Sequence, residues 1–115
     1  MRSFWRFKEK VNVIKSPQVL LLNLARFSAG LHKLTHFVKF PLQLTTEHIS
    51  SENGSLLSYR LRGLIEHVGP SFGNGHYTTY FCTEDNWYKA NDSVITRVSW
   101  QIVSDVQAYI LLYTI

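Results

Sequence analysis

A single cysteine is all the sulfur chemistry this chain can offer beyond its one methionine, and that scarcity excludes a good deal. With Cys82 alone there is no internal disulfide and no zinc site built from several cysteines, which fits a reducing, intracellular compartment, cytoplasmic or nuclear. Long apolar runs are also missing. The longest, around Val19–Leu22 and Tyr109–Tyr113, fall far short of the roughly 20 residues a membrane helix needs, and no charged-then-apolar leader opens the sequence. A soluble protein with no membrane partner is therefore expected. Strong charge bias is absent as well: twelve Lys and Arg against eight Asp and Glu leave +4, scattered except for Arg2, Arg6, Lys8, Lys10 and Lys15, so nucleic acid is not an expected partner. His32, His36 and His48 have no metal-ligand spacing with His67, and no metal or other cofactor is expected. No repeat and no low-complexity linker marks an internal domain boundary.

What is present is material for one small β-rich unit or a piece of a larger one. At 115 residues, 45% hydrophobic and 14% aromatic, the chain can bury a core. Gln18–Phe27, His36–Phe40, Leu57–Val68, Gly75–Phe81, Asn86–Ala90 and Ala108–Tyr113 carry the β-branched, aromatic and alternating patterns of strands. Turn signals separate them at Ser28-Ala29-Gly30, Ser50–Ser55 and Gly69–Gly75. Ser99 can cap one short helix running to about Val106, with Ile102, Val103 and Val106 on one face. The fold class is thus α+β: mainly antiparallel sheet with one short helix. Met1–Lys15 holds Phe4, Trp5 and Phe7 without a cap or turn, as though their packing partners lay elsewhere, and exposed apolar surface is expected there.

The chemistry concentrates after the glycine-rich stretch. If Glu84-Asp85 are the two central residues of a hairpin turn, Thr83 faces Asn86 and His76 falls opposite Ser93, with Asn91 on the same sheet face one diagonal step away. Diagonal neighbours on one face sit about 7–8 Å apart at the backbone, within reach for His and Asn side chains. Asp92 then points to the other face, although a turn one residue longer would exchange the two. A histidine oriented by an amide or carboxylate is the base that a cysteine or serine nucleophile needs, because the third group fixes the imidazole's tautomer and aim. Taken alone, Asn91-Asp92-Ser93 is equally a polar turn. Cys82 shares the face of His76 by parity but lies about 20 Å along the strand, whereas nucleophile and base must approach within about 3 Å. Cys82 reads as a buried, unreactive thiol, and no serine sits in a Gly-x-Ser-x-Gly elbow. Gly69–Gly75 is either a plain connection or a loop whose glycines let a substrate backbone come close.

Together these residues resemble the C-terminal half of the catalytic domain of ubiquitin-specific proteases, the papain-like deubiquitinases. The family's histidine box is similar to Tyr59, Leu61, Gly63, Leu64, His67 and Gly69, then a short spacer, then Gly75-His76-Tyr77. Pro17-Gln18-Val19-Leu20 leading to Leu24-Ala25-Arg26-Phe27 resembles the family's Leu-Pro-x-Val-Leu and Leu-Lys-Arg-Phe strand, and Val38-Lys39-Phe40-Pro41-Leu42-Gln43-Leu44 its Val-x-Phe-Pro-x-x-Leu segment. Trp87-Tyr88 through Asn91-Asp92-Ser93 resembles its third-residue segment, and Ala108–Tyr113 its closing strand. Ser16, Ala25 and Ala90 depart from the family pattern, and none of the three is the base.

The resemblance implies part of a papain-like cysteine protease fold, with residues 1–115 as the histidine-box part of the domain and the cysteine-box half absent. It implies His76 as general base, Asn91 as its orienter and Asp92 as an adjoining polar group that helps stabilise the oxyanion. His67, Gly69, Gly75 and Tyr77 would meet the ubiquitin C-terminal tail. Expected partners are ubiquitin, ubiquitinated proteins and the missing half of the domain. The reaction is thiol-dependent hydrolysis of peptide or isopeptide bonds at the ubiquitin C-terminus, and the chain alone is expected to be inactive. A ubiquitin-binding or scaffold module without catalysis is the alternative, and a β-rich nucleic-acid binder a third.

Overall fold

The computed structural model describes residues 17–26, 34–35, 37–47, 56–71 and 74–115. In chain order these form β1 (Val19–Asn23), β2 (Gln43–Glu47), β3 (Leu56–Ser71), β4 (Asn74–Thr83), β5 (Asn86–Asn91), β6 (Val94–Val98), α1 (Trp100–Ser104) and β7 (Ala108–Thr114). Every pairing is antiparallel, in the order β1-β7-β3-β4-β5-β6. The long β3 organises the sheet. Arg60 pairs with both Gln43 and Thr114, and Gly63 with both Phe81 and Leu112, so β7 occupies one edge of β3 while β2 and then β4 share the other.

Local chemistry explains the ladder that carries the site. Glu84 and Asp85 both adopt positive φ, 51° and 64°, the left-handed pair that lets a two-residue turn follow the twist of its strands. The register Thr83↔Asn86, Tyr80↔Lys89, Thr79↔Ala90 is the one the sequence predicts. The next turn is equally short. Asn91 pairs with Val94 across Asp92-Ser93, with Asp92 at φ 52°. The chain therefore reverses before Ser93 can face His76, and the β4–β5 ladder ends at Thr79↔Ala90.

One sheet face carries Tyr59, Leu61, Leu64, Tyr80, Trp87, Leu111 and Tyr113, and Phe40, Val103, Val106 and Ala108 complete the buried cluster. Trp100 packs at 5.6 Å from Trp87 and edge-on at 6.3 Å from Phe40. Two tyrosines extend from this core to irregular backbone: Tyr59 donates to the Pro17 carbonyl at 2.7 Å and Tyr113 to that of Pro41 at 2.6 Å. Burial pushes the Tyr113 phenol up to about 12, so the hydroxyl remains a donor. The buried Arg26 donates to the Ala108 carbonyl at 3.0 and 2.8 Å and to that of Leu34 at 3.3 Å, tying the segment after β1 to the start of β7.

Several local expectations change. Of the stretch His36–Phe40, His36 lies outside the described residues, Phe37 forms a bridge, and residues 38–40 form no ladder; Pro41, which has no N–H to give, follows them. β2 and β6 were not anticipated. The first is polar in sequence because it pairs on one side only, and the second follows a two-residue turn that reads as a strand end. Ser99 does cap α1, its Oγ accepting from Ile102 N at 3.3 Å. The helix ends at Ser104 rather than Val106. Ile102 is 53% exposed, because in so short a helix Val103 alone turns inward, and Val106 is buried from the turn that follows. The N-terminal aromatic residues Phe4, Trp5 and Phe7 lie outside the described residues.

Candidate active site

β4 and β5 deliver the two polar side chains at one end of the core face. His76 Nε2 lies 2.5 Å from Asn91 Oδ1, although the two residues are not ladder partners. An amide oxygen only accepts, so Nε2–H donates to it, and the neutral ring keeps its lone pair on Nδ1. The arrangement can therefore fix a tautomer and offer the opposite nitrogen as a base. Asp92 Oδ1 stands 3.9 Å from the same Nε2, beyond hydrogen-bonding distance, with its side chain largely in solvent. The positive φ of Asp92 turns that residue away from the strand, which leaves Asn91 as the nearer group.

Cys82 is on the same strand as His76, six positions along, or about 20 Å at strand rise. It pairs with Trp87 and packs half-buried against the core, so the one thiol of the chain does not reach the imidazole.

The glycine-rich stretch is mostly strand. β3 runs to Ser71, β4 begins at Asn74, and those two residues pair after a register slip beyond Val68↔His76. Gly69, at φ 141°, sits inside that slip, where a left-handed conformation is needed. Phe72 and Gly73 lie outside the described residues. Tyr77 is 46% exposed, whereas His67 is 2% exposed. His67 pairs with Tyr77 and Val68 with His76, so His67 and Tyr77 project from the sheet face opposite the catalytic candidate.

Two neighbours went unnoticed in the sequence. Thr78, directly after Tyr77, is buried opposite Glu66, which lies near Tyr80 on the same face as His76. Burial first and the Glu66 charge second push the Tyr80 phenol up to about 12. The parity of β4 already placed Thr78 and Tyr80 with His76; the identity of their β3 partners needed the register. Among the described residues no group of three His, Cys, Asp or Glu could hold a metal ion, and no helix is long and apolar enough to cross a membrane.

Comparison with known proteins accords with this geometry. Residues 6–113 match the family model described as ubiquitin carboxyl-terminal hydrolase. Similar curated proteins include ubiquitin carboxyl-terminal hydrolase 8 of Saccharomyces cerevisiae, 35% identical over 93% of this chain, and ubiquitin carboxyl-terminal hydrolase 2 of Homo sapiens, 37% identical over 91%. The chain spans only 26% and 18% of their lengths. Among solved structures, the SAGA Ubp8/Sgf11/Sus1/Sgf73 DUB module bound to ubiquitin aldehyde superposes with a TM-score of 0.77 at 34% identity, covering 85% of this chain and 24% of that one. The mainly antiparallel sheet with one short helix is thus part of the papain-like fold of those catalytic domains. On the family match and these relatives together, the chain belongs to the ubiquitin carboxyl-terminal hydrolases.

Proposed function

We propose that this chain supplies the general base and its orienter to a cysteine-type deubiquitinase, corresponding to the histidine-box part of the catalytic domain. The observation that carries the reading is the 2.5 Å contact between His76 Nε2 and Asn91 Oδ1 in a chain whose own thiol is remote. A cysteine from outside these 115 residues would face His76 Nδ1. It would pass its proton to that nitrogen and attack the carbonyl at the ubiquitin C-terminus as thiolate. The imidazolium, held by Asn91, would then give the proton to the departing lysine amine as the carbon–nitrogen bond breaks. Water, deprotonated by the same nitrogen, would hydrolyse the resulting thioester and release thiol and carboxylate.

Asp92, close by and solvent-facing, would adjoin the developing oxyanion and help stabilise it through a backbone N–H, since its carboxylate only accepts. Gly69 and Gly75 would line the path of the ubiquitin tail, with Tyr77 and His67 backing them from the opposite sheet face. Ubiquitin and ubiquitinated proteins are the partners this reading requires, in the cytoplasm or nucleus, and the relative solved with ubiquitin aldehyde supports it.

The position of Cys82 favours a second reading, a module that binds ubiquitin without cleaving it. A ubiquitin probe with a thiol-reactive terminus separates these from a self-sufficient enzyme. The isolated chain should form no adduct, and labelling of Cys82 would overturn the assignment. With a cysteine-bearing portion supplied, appearance of an adduct on that cysteine supports the catalytic reading, and binding without any adduct supports the module.

A further inference from the structure

The geometry points to His67 as a positioning residue for His76, acting from the reverse face of the sheet. His67 faces Tyr77 across the β3–β4 ladder and lies diagonal to Gly75, so its ring meets the two residues that flank His76 in sequence. Its contact with Tyr77 is edge-to-face, ring centroids 4.9 Å apart at 62°. Its contact with Gly75 is closer still. A Cβ built on Gly75 would fall on His67 Nε2 and 2.7 Å from Cε1, so the ring occupies the space a side chain at 75 would fill. An aromatic ring laid over a cross-strand glycine covers backbone that the glycine leaves bare and restrains it. Tyr77 is in turn held by Tyr109, at 6.3 Å and 35°, which anchors the far side of the clamp to β7.

The position of the clamp gives it a consequence for the site. Val68↔His76 is the last regular pair before the register slips, so the ladder alone restrains His76 from one direction only. Beyond it lies Gly75, the residue type with the widest backbone freedom. Without the ring, rotation at Gly75 would swing the His76 side chain, and the Nε2–Oδ1 contact tolerates little of that before it is lost. His67 thus sets the aim of the imidazole while Asn91 sets its tautomer. The catalytic meaning of that aim rests on the reading of His76 as base; the clamp itself is a statement about structure.

The test uses the 115-residue chain, uniformly labelled, at a pH where imidazoles are neutral. Two magnetisation-transfer contacts are followed: His76 ring to Asn91 side-chain amide, and Phe81 ring to Tyr88 ring, a stacked pair 5.4 Å apart nearer the hairpin turn. In His67→Ala the first contact should be lost and the second kept, and His67→Phe, which restores a ring, should recover the first. Retention of the His76–Asn91 contact in folded His67→Ala would overturn the inference. So would loss of both contacts in a variant that stays folded, which would mark His67 as general packing, or loss of the first alone in folded His67→Phe. Should His67→Ala not fold, Tyr77→Leu at a half-exposed site carries the test: it removes the ring's edge partner, and weakening of the first contact alone supports the clamp while an unchanged one refutes it. Failure of the base reading is read separately, as turnover that survives His76→Ala in an assembled enzyme.

Discussion

Replacing Gly75 by alanine adds one methyl group at a place with no room for it. The new Cβ would sit 2.6 Å from the Val68 carbonyl oxygen and 2.7 Å from His67 Cε1, at a backbone φ of +158°. The ring can shift by a few tenths of an ångström. The Val68 carbonyl cannot do so freely, because Val68 is laddered to His76. Overpacking of this kind costs about 1–3 kcal/mol, and an unfavourable backbone conformation adds roughly 1–3 kcal/mol. The stiffer unfolded chain of the alanine variant returns about 0.4–1 kcal/mol. A net loss of about 2–4 kcal/mol is expected, a large part of the roughly 5–15 kcal/mol that holds a domain folded. At about 2.1 cal/mol/K per residue of unfolding entropy, that lowers Tm by roughly 8–16 °C. Thermal and urea unfolding followed by circular dichroism would measure it. Gly63→Ala is the internal control: its Cβ would lie 3.1 Å from the Tyr80 carbonyl and in ordinary contact with Phe81 at 3.9 and 4.0 Å, so the loss should be distinctly smaller. Equal losses at the two positions, or a Gly75→Ala variant that melts with the parent chain, would show that position 75 has room for a side chain.

Other perturbations follow from the same structure. Arg26→Met should destabilise by about 2–4 kcal/mol in urea unfolding, since it leaves the buried Ala108 carbonyl without its donors at 2.8 and 3.0 Å. Ser99→Ala should cost about 1 kcal/mol through the lost cap on Ile102 N, read as a drop in the urea midpoint without a change in slope. Alkaline pH should unfold the chain between about 10 and 12. Tyr80 and Tyr113, each pushed up to about 12, keep their protons in the fold while the unfolded chain releases them near 10. Their contribution is complete below pH 10 and disappears as pH rises through 12; Tyr113→Phe should flatten that decline, and an unchanged slope would contradict the assignment.

The site was legible in the sequence wherever a local rule fixed a non-local consequence. A two-residue turn at Glu84-Asp85 sets the register of β4 on β5, and that register alone places Asn91 on the face of His76. The helix cap at Ser99 was readable for the same reason: a side chain acting on a backbone group three residues away needs no tertiary information. The next turn escaped notice because Asp92 adopts φ 52° in a motif that also suits a strand end, so β6 went unseen and Ser93 was placed opposite His76. His36–Phe40 misled in another way. Phe37 and Phe40, three positions apart, are both buried, and a short apolar stretch does not distinguish burial of that kind from ladder pairing. The ring of His67 over Gly75 depends on the β3–β4 register, which a glycine-rich connection does not announce. Its slip beyond Val68 is a property of the assembled sheet.

The decisive measurement of the role of His76 is turnover of a ubiquitin C-terminal amide substrate by this chain combined with a cysteine-bearing portion of the domain. The combined protein should cleave, and His76→Ala should lower the rate by about 10²–10⁴-fold, the range a positioned acid–base group contributes. Asn91→Ala should cost less, because a poorly oriented imidazole still accepts a proton part of the time. Turnover that survives His76→Ala undiminished would contradict the account.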